Sequence, residues 1–419
     1  MEKYKSYEEY IDFQKTKTLD PARRKKWLGE EWKSKIDGFE LDFRRHKRLI
    51  GAASKVLCIG ARTGQEVVAL KNLGVQDVVG IDIVPHEPHV VLGDMHDLQF
   101  EDESFDFVYS NVIDHSINPS KMISEIERVL RVGGSALLQI QLGLNTDEFT
   151  EFKVSDPVHD ILPLFSRSYC TQIGFIDNPS SINFAGMNFE MVLEKDEHLC
   201  TLHSKYSLDN ITVPEPYRKI WDATNDLTQR NKAKDHGVSE EDLFHHVAGL
   251  SRRAFYLTRL AEVYDVDTIA EVGTAQGWQF YSFCEFARES PGRHVYTCDI
   301  RDVRNSECLE LFEKDLGLGT FIKGDSNVLS DVCKDIKMFY IDGDHDAGAV
   351  IRDVVNLEDC QSSDTIPIWV FDDFDTRFGC FADICRVCLK GQKFKVVRVG
   401  KTASGQDNHI AIVYGRISI

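Results

Sequence analysis

No stretch of this sequence approaches the ~20 consecutive apolar residues of a membrane-spanning helix; the longest runs, such as Ile366 to Phe371, are far shorter. The opening segment, MEKYKSYEEY, lacks the apolar core of a secretory signal, so export is not expected. Positive charge is scarce too: 49 Lys+Arg face 68 Asp+Glu, a formal charge of −19. That balance repels phosphate backbones and anionic lipid, which argues against nucleic acid and membrane as partners. Small molecules or glycans fit better, either neutral or as anions brought in by a metal, and homo-oligomer formation stays open. A paired-cysteine framework is also missing. The 11 cysteines are odd in number and scattered, as expected of reduced thiols in a cytoplasmic compartment. Cys380, Cys385 and Cys388 come closest together, near one helical face beside Phe381 and Ile384. They read as core, because a zinc site would need a fourth donor.

What is present is the composition of a folded protein, 42% hydrophobic and 28% charged, at a length of 419 residues that suits two or three domains. Residues 1–50 read as a helical extension with aromatic anchors at Tyr10, Phe13, Trp27, Trp32, Phe39 and Phe43. They hold 14 Lys+Arg and 10 Asp+Glu, so the rest of the chain carries −23. The run Arg23, Arg24, Lys25, Lys26 reads as a solvated helix face. From Lys55 strands and helices alternate: SKVLCIG, ARTGQEVVALKNLG, VQDVVGIDIV, FDFVYSNV, SKMISEIERVLRVGG and GSALLQIQ. GMNFEMVLEKD resembles a closing edge strand. Residues 201–264 lose the rhythm and look helical, with Pro214 and Pro216 breaking the run. The rhythm then restarts with DTIAEVG, TAQGWQFYSFCEFARES and HVYTCDI, and continues through KMFYIDGD, IPIWVFDD, FKVVRVG and HIAIVYG. Such alternation predicts α/β domains with parallel sheets covered on both faces, at 51–200 and 265–419.

Each copy puts a glycine-bearing turn after its first strand and an acid at the end of its second. These are Gly60 to Gly64 with Asp82, and Gly273 to Gly277 with Asp299. Glycines let a cofactor approach the backbone at a helix N-terminus, and an acid at the next strand end suits ribose hydroxyls. A dinucleotide enzyme would show the same plan, but G-x-G-x-x-G is absent from both copies, which weakens a nicotinamide-dependent oxidoreductase.

The motifs VLCIGARTG, VVGIDIV, VLGDMHDLQFEDESFDFVYSNVIDH and IERVLRVGGSALLQI resemble class I S-adenosylmethionine-dependent methyltransferases, and the resemblance covers most of both halves. It implies two Rossmann-like domains with mostly parallel seven-stranded sheets, joined by a helical segment. In the first copy it implies cofactor contacts at Gly60, Gly64, Asp82, Asp94, Met95 and Asn111, with His115 as a catalytic candidate at the active-site mouth. Two positions depart from the pattern: Cys58 replaces the usual acid of the first strand, and Arg62 the usual middle glycine of the loop. In the second copy IAEVGTAQG keeps the acid as Glu271, and Gly273, Thr274, Gly277, Asp299, Asp325 and Ser326 would meet the cofactor. FYIDGDHDAGAVIRDV followed by WVFDDFD resembles the subgroup that includes macrolide-sugar O-methyltransferases. There Asp342, Asp372 and Asp373 would hold a divalent metal, Mg²⁺ in kind, and His345 would be the general base.

The residues support that assignment on their own. Adjacent parallel strands end on one rim, so acids after FYI and WVF converge, and a hard cation relieves their repulsion. A histidine beside them can take a proton near neutral pH. The lesser candidates are His245 and His246, His86 and His89, Trp278, the Arg301–Arg304 stretch, and Asp407, Asn408 and His409. The expected function is O-methylation of a sugar or glycoconjugate by the second copy, with the first as a second methyltransferase. Two methyltransferase alternatives stay open: a first copy that is only a scaffold, and a catechol, polyketide or peptide acceptor, since acceptor pockets are built by variable insertions such as 143–190 and 204–264.

Overall fold

Among the described residues, fourteen short, mostly buried strands organise the computed structural model, seven in each of two units, Met1–Cys200 and Thr201–Ile419. The structure describes residues 3–53, 55–143, 147–176, 187–208, 210–224, 240–391, 393–401 and 406–419, without the side chains of residues 52 and 240–248.

In unit 1 the strands are β1 (Lys55–Ile59), β2 (Asp77–Asp82), β3 (Val90–Leu92), β4 (Phe105–Ser110), β5 (Leu130–Ile140), β6 (Ser168–Phe175) and β7 (Phe189–Lys195). Their spatial order is β3-β2-β1-β4-β5-β7-β6. The first five run parallel, with Lys55 opposite Asp77 and Val56 opposite Phe107. Only β7 is reversed against its neighbours. Strands buried on both faces need apolar residues at every position, which is why KVLCI shows no alternation. The sequence reading of Phe189–Lys195 as an edge strand is corrected here: β7 lies between β5 and β6. Its partner β6 was hidden in the 143–190 stretch because SYCTQIGF is buried only at its first three residues and carries little apolar signal.

Four helices precede β1: α1 (Tyr7–Leu19), α2 (Pro21–Leu28), α3 (Trp32–Arg45) and a short one at Lys47–Ala52. Asp20 breaks the first from the second by accepting the Arg23 N–H at 2.7 Å, with Pro21 opening the new helix. The helices belong to the unit's core. Ile36, Phe39 and Phe43 pack with Val56 and Phe107, and the Phe43 ring meets Tyr109 edge-on at 5.0 Å. Burying such a ring contributes about 1.5–3 kcal/mol.

Unit 2 repeats the plan with β8 (Thr268–Val272), β9 (His294–Asp299), β10 (Gly319–Lys323), β11 (Met338–Ile341), β12 (Ile368–Phe371), β13 (Lys393–Lys401) and β14 (Asp407–Tyr414). The order is β10-β9-β8-β11-β12-β14-β13, again with five parallel strands and one reversed, β14. Phe339 and Trp369 stack at 3.9 Å across β11 and β12. A long helix, α4 (Glu240–Val263), leads into β8. In both units the order reverses beside the first strand, where an open α/β sheet leaves a crevice at the strand C-termini.

Candidate active sites

The crevice of each unit is built around the same loop. In unit 1 the Gly60 and Ala61 N–H groups donate to the Ile81 carbonyl at 3.0 and 2.9 Å; in unit 2 Gly273 donates to the Cys298 carbonyl at 3.0 Å. Three residues in each loop have left-handed backbone: Gly60 (+77°), Arg62 (+45°) and Gly64 (+89°), matched by Gly273 (+94°), Ala275 (+45°) and Gly277 (+90°). Gly64 and Gly277 each open the following helix, Gln65–Asn72 and Trp278–Arg288. The loops are held by the expected acids. Asp82 accepts the Arg62 and Val84 N–H groups at 3.1 and 2.9 Å, and Asp299 accepts those of Ala275 and Arg301 at 2.9 and 2.8 Å. Burial pushes the Asp82 carboxyl up, against the pull of those bonds and of Arg62.

Glycine is required at Gly273 for a second reason. A Cβ there would lie 1.9 Å from the Asp342 carbonyl oxygen, so the cofactor loop of unit 2 rests directly on the end of β11. At Gly60 the corresponding neighbour is the Val112 side chain, 2.5 Å from a built Cβ.

Beyond the loops the units diverge. In unit 1 a cavity of about 1280 Å³ opens beside Gly60, Asn111 and His115. A smaller one of about 60 Å³ holds Asp82, Asp94 and Met95 under α1. Asp94 accepts the Tyr7 hydroxyl at 2.6 Å and the His96 N–H at 2.8 Å. Burial works against the carboxylate, but the His96 and Tyr7 bonds outweigh it and hold Asp94 below its ordinary range. His115 sits between the Phe149 carbonyl (Nδ1, 2.9 Å) and the Lys17 ammonium (Nε2, 3.0 Å). Burial, aided by Lys17, keeps its pKa below the usual 6.5. Facing an ammonium and a carbonyl, the ring is a neutral Nδ1–H tautomer with Nε2 as acceptor.

The acid missing at Cys58 has a counterpart that the sequence reading overlooked. Glu66, in the first turn after Gly64, is buried, lines the large cavity and interacts electrostatically with the Cys58 thiol. Burial raises its pKa to about 7, with Arg62 and Lys35 pulling the other way. Its partner in unit 2 is Glu271, which accepts the Thr297 hydroxyl at 2.6 Å; Thr297 in turn bonds Thr274 at 2.6 Å. Burial takes Glu271 to about 8. A strand-by-strand motif does not look for this acid, because Glu66 sits in the first turn of the helix that follows the loop.

The acids of unit 2 group differently from the sequence expectation. Donor atoms of Asp342, His345 and Asp373 lie within 4.8 Å of one another. Asp372 instead points to Arg253 of α4 (2.6 Å) and receives the Tyr340 hydroxyl at 2.8 Å. Both ends of that ion pair are at most 5% exposed, and Arg253 lies 4.7 Å over the Trp278 ring. Burial, then repulsion from Asp372 and Asp373, pushes the Asp342 carboxyl well above its ordinary value, and Arg253 only partly offsets this. His345 Nε2 is 2.8 Å from Asp373, which raises the imidazole pKa although partial burial opposes it. Two carboxylates and an imidazole within this span, one carboxyl destabilised as an anion, fit a divalent cation.

The remaining candidates have partners of their own. Asp325 caps the Asn327 N–H at 3.2 Å, while the buried Ser326 hydroxyl donates to Asp353 at 2.6 Å and so faces into the fold. Arg304 pairs with Asp302 and Glu313, His86 lies 3.3 Å from Arg24, and the His89 ring lies 6.0 Å from that of Trp32. Asn408 and His409 are buried at the start of β14. The side chains of His245 and His246 lie outside the described residues.

A glycine loop and a strand-end acid on a sheet with this strand order define the Rossmann-like, class I methyltransferase fold, and each unit has it. Comparison with known proteins agrees: two stretches, residues 57–138 and 270–374, match family models described as methyltransferase domains. Curated relatives include methyltransferases of Mycobacterium bovis and Mycobacterium tuberculosis named as uncharacterized, each 34% identical over 96 residues. These cover 20% of this chain and 39% of the relative, so the chain spans only about two fifths of their length. Among solved structures, the 1,6-didemethyltoxoflavin-N1-methyltransferase of Burkholderia thailandensis has a TM-score of 0.34 at 14% identity, over 45% of this chain and 87% of that one. A SAM-dependent methyltransferase from Archaeoglobus fulgidus gives 0.31 at 16% identity, over 38% and 94%. The two matched stretches fall one in each unit, so both units resemble methyltransferase domains.

Proposed function

We propose that the chain is an S-adenosylmethionine-dependent O-methyltransferase of a sugar or glycoconjugate, with unit 2 metal-dependent and unit 1 a second methyltransferase. The observation that carries this reading is the convergence of Asp342, His345 and Asp373 beside the Gly273 loop. In each unit the loop N–H groups and the strand-end acid, Asp82 or Asp299, would seat the cofactor's ribose, and Glu66 or Glu271 would face its ammonium group. The cofactor supplies a methyl group on a sulfonium. Asp342 and Asp373 would hold a divalent cation, which supplies a charge able to bind vicinal sugar oxygens and acidify a hydroxyl.

His345 takes the proton. Facing the Asp373 carboxylate, its Nε2 carries a hydrogen, which leaves Nδ1 as the accepting atom for the sugar hydroxyl. The bond to Asp373 strengthens the imidazole as a base. Arg253 has a supporting part: it neutralises Asp372, so the cluster facing the crevice carries less charge to be offset. The decisive experiment is Asp342→Asn, assayed by mass spectrometry on a panel of sugar acceptors with and without chelator. It should remove one methylation and its chelator sensitivity while sparing the other; loss of both or of neither contradicts the reading.

A second reading, unit 1 as scaffold, is favoured by one contact: Tyr7 already occupies Asp94, one of the acids expected to meet the cofactor. Cofactor stoichiometry separates the two.

A further inference from the structure

We propose that the large cavity of unit 1 binds an anionic methyl acceptor, a small molecule bearing a carboxylate or phosphate, on a cationic station built by Arg62, Lys35 and Lys17. This rests on reading unit 1 as a methyltransferase half.

The chain as a whole is strongly acidic, yet the wall of this cavity carries five Lys/Arg against four Asp/Glu. Three of the four carboxylates there are committed or weakly charged; the fourth, Asp114, lies 3.9 Å from His115. Glu31 is shared by Lys26 and Lys35 at 2.7 and 3.2 Å, and Asp147 holds Lys17 at 2.7 Å. Glu66 titrates at about 7, so near neutral pH part of it is uncharged. Arg62 makes no ion pair among the described residues. Its guanidinium lies 4.4 Å over the Trp27 ring, and the Lys35 ammonium lies 5.8 Å from the same ring. One indole therefore gathers two cations that repel each other. Burial lowers the Lys35 and Lys17 pKa values, and the Arg62 charge adds to both. An anion entering the cavity would relieve all three.

Arg62 is not there for the backbone. Ala275 adopts the same left-handed φ at the matching position of unit 2, and glycine would take it more cheaply, since an L residue there costs about 1 kcal/mol. What distinguishes unit 1 is the side chain aimed into its cavity. Nor does the cofactor supply the missing charge. S-adenosylmethionine brings a sulfonium and an ammonium against one carboxylate, so a bound cofactor leaves the cavity more positive. The balancing anion has to come from the acceptor.

The test is calorimetric titration of the full chain with inorganic phosphate, before and after saturation with S-adenosylhomocysteine, with glycerol as a neutral control. Phosphate should bind in both states, glycerol in neither. Arg62→Gln should weaken phosphate by about 10-fold or more, the worth of a charge-assisted bond, and Lys35→Gln by less. Arg62→Lys, which keeps charge and serves as the folding control, should retain most of the affinity, and S-adenosylhomocysteine affinity should move less than about 3-fold in all three variants. Phosphate that binds only in the absence of S-adenosylhomocysteine, or an Arg62→Gln variant that loses S-adenosylhomocysteine instead, would show that the station serves the cofactor's own carboxylate and overturn the proposal. So would phosphate binding that ignores Arg62. Loss of the S-adenosylhomocysteine site that Asp82→Asn should remove bears instead on the parent reading, so the two failures are distinguishable.

Discussion

The two units share a loop to within a few tens of degrees and differ in the sign of charge they gather around it. Arg62 and Ala275, both at φ +45°, are tied by their N–H groups to Asp82 and Asp299. Past that point unit 1 collects Arg62, Lys35 and Lys17, while unit 2 collects Asp342, Asp372 and Asp373. The sheet and loop fix where a cofactor can sit; the residues on the rim decide what is brought to it. A crevice of carboxylates calls for a cation and through it a neutral polyol, whereas a crevice of ammonium and guanidinium groups calls for an anion directly.

The sharpest way to break the contrast is at Arg253, the counter-charge built into unit 2. Arg253→Met leaves the buried Asp372 unpaired and should cost about 3–5 kcal/mol. Hydrogen exchange followed peptide by peptide should show protection lost in β8, β11 and β12 and kept in β1 and β4. Equal loss in both units would mean that their stabilities are not separable.

The two buried glutamates offer a smaller, pH-dependent test of the likeness. Both are raised acids, so the folded state favours the protonated form. That stability is fully present below the ordinary carboxyl value of about 4.5 and is lost as pH rises from there through about 7 for Glu66 and about 8 for Glu271. Glu66→Gln and Glu271→Gln should therefore match wild type near about pH 4 and exceed it by a few kcal/mol near about pH 9, the Glu271 variant by more. Denaturant melts across that range check the sign. If the two acids share a role, both variants also weaken cofactor binding.

Smaller still is Tyr7→Phe, which removes one partly exposed bond to Asp94 and should cost about 1 kcal/mol. If unit 1 binds cofactor, freeing Asp94 should tighten that site and leave the site of unit 2 unchanged; no change in either would favour the scaffold.

The tandem α/β plan was legible because doubly buried strands read as continuous apolar runs and the loops announce themselves by glycine spacing. β6 was not, because Thr171, Gln172 and Gly174 break its apolar run after the first three buried residues. The site was legible in kind but not in pairing. FYIDGDH and WVFDD place the acids on one rim, yet nothing in those motifs says that Arg253, some 119 residues before Asp372, reaches back to claim it. The replacement of the Cys58 acid by Glu66 was equally hidden. It depends on a helical turn folding under its own strand, and a strand-by-strand motif does not look there.

The central claim is that both loops hold cofactor. Isothermal titration of the full chain with S-adenosylhomocysteine measures it most directly. Two sites per chain are expected, one removed by Asp82→Asn and the other by Asp299→Asn; a single site that survives Asp82→Asn would rule out cofactor on the Gly60 loop.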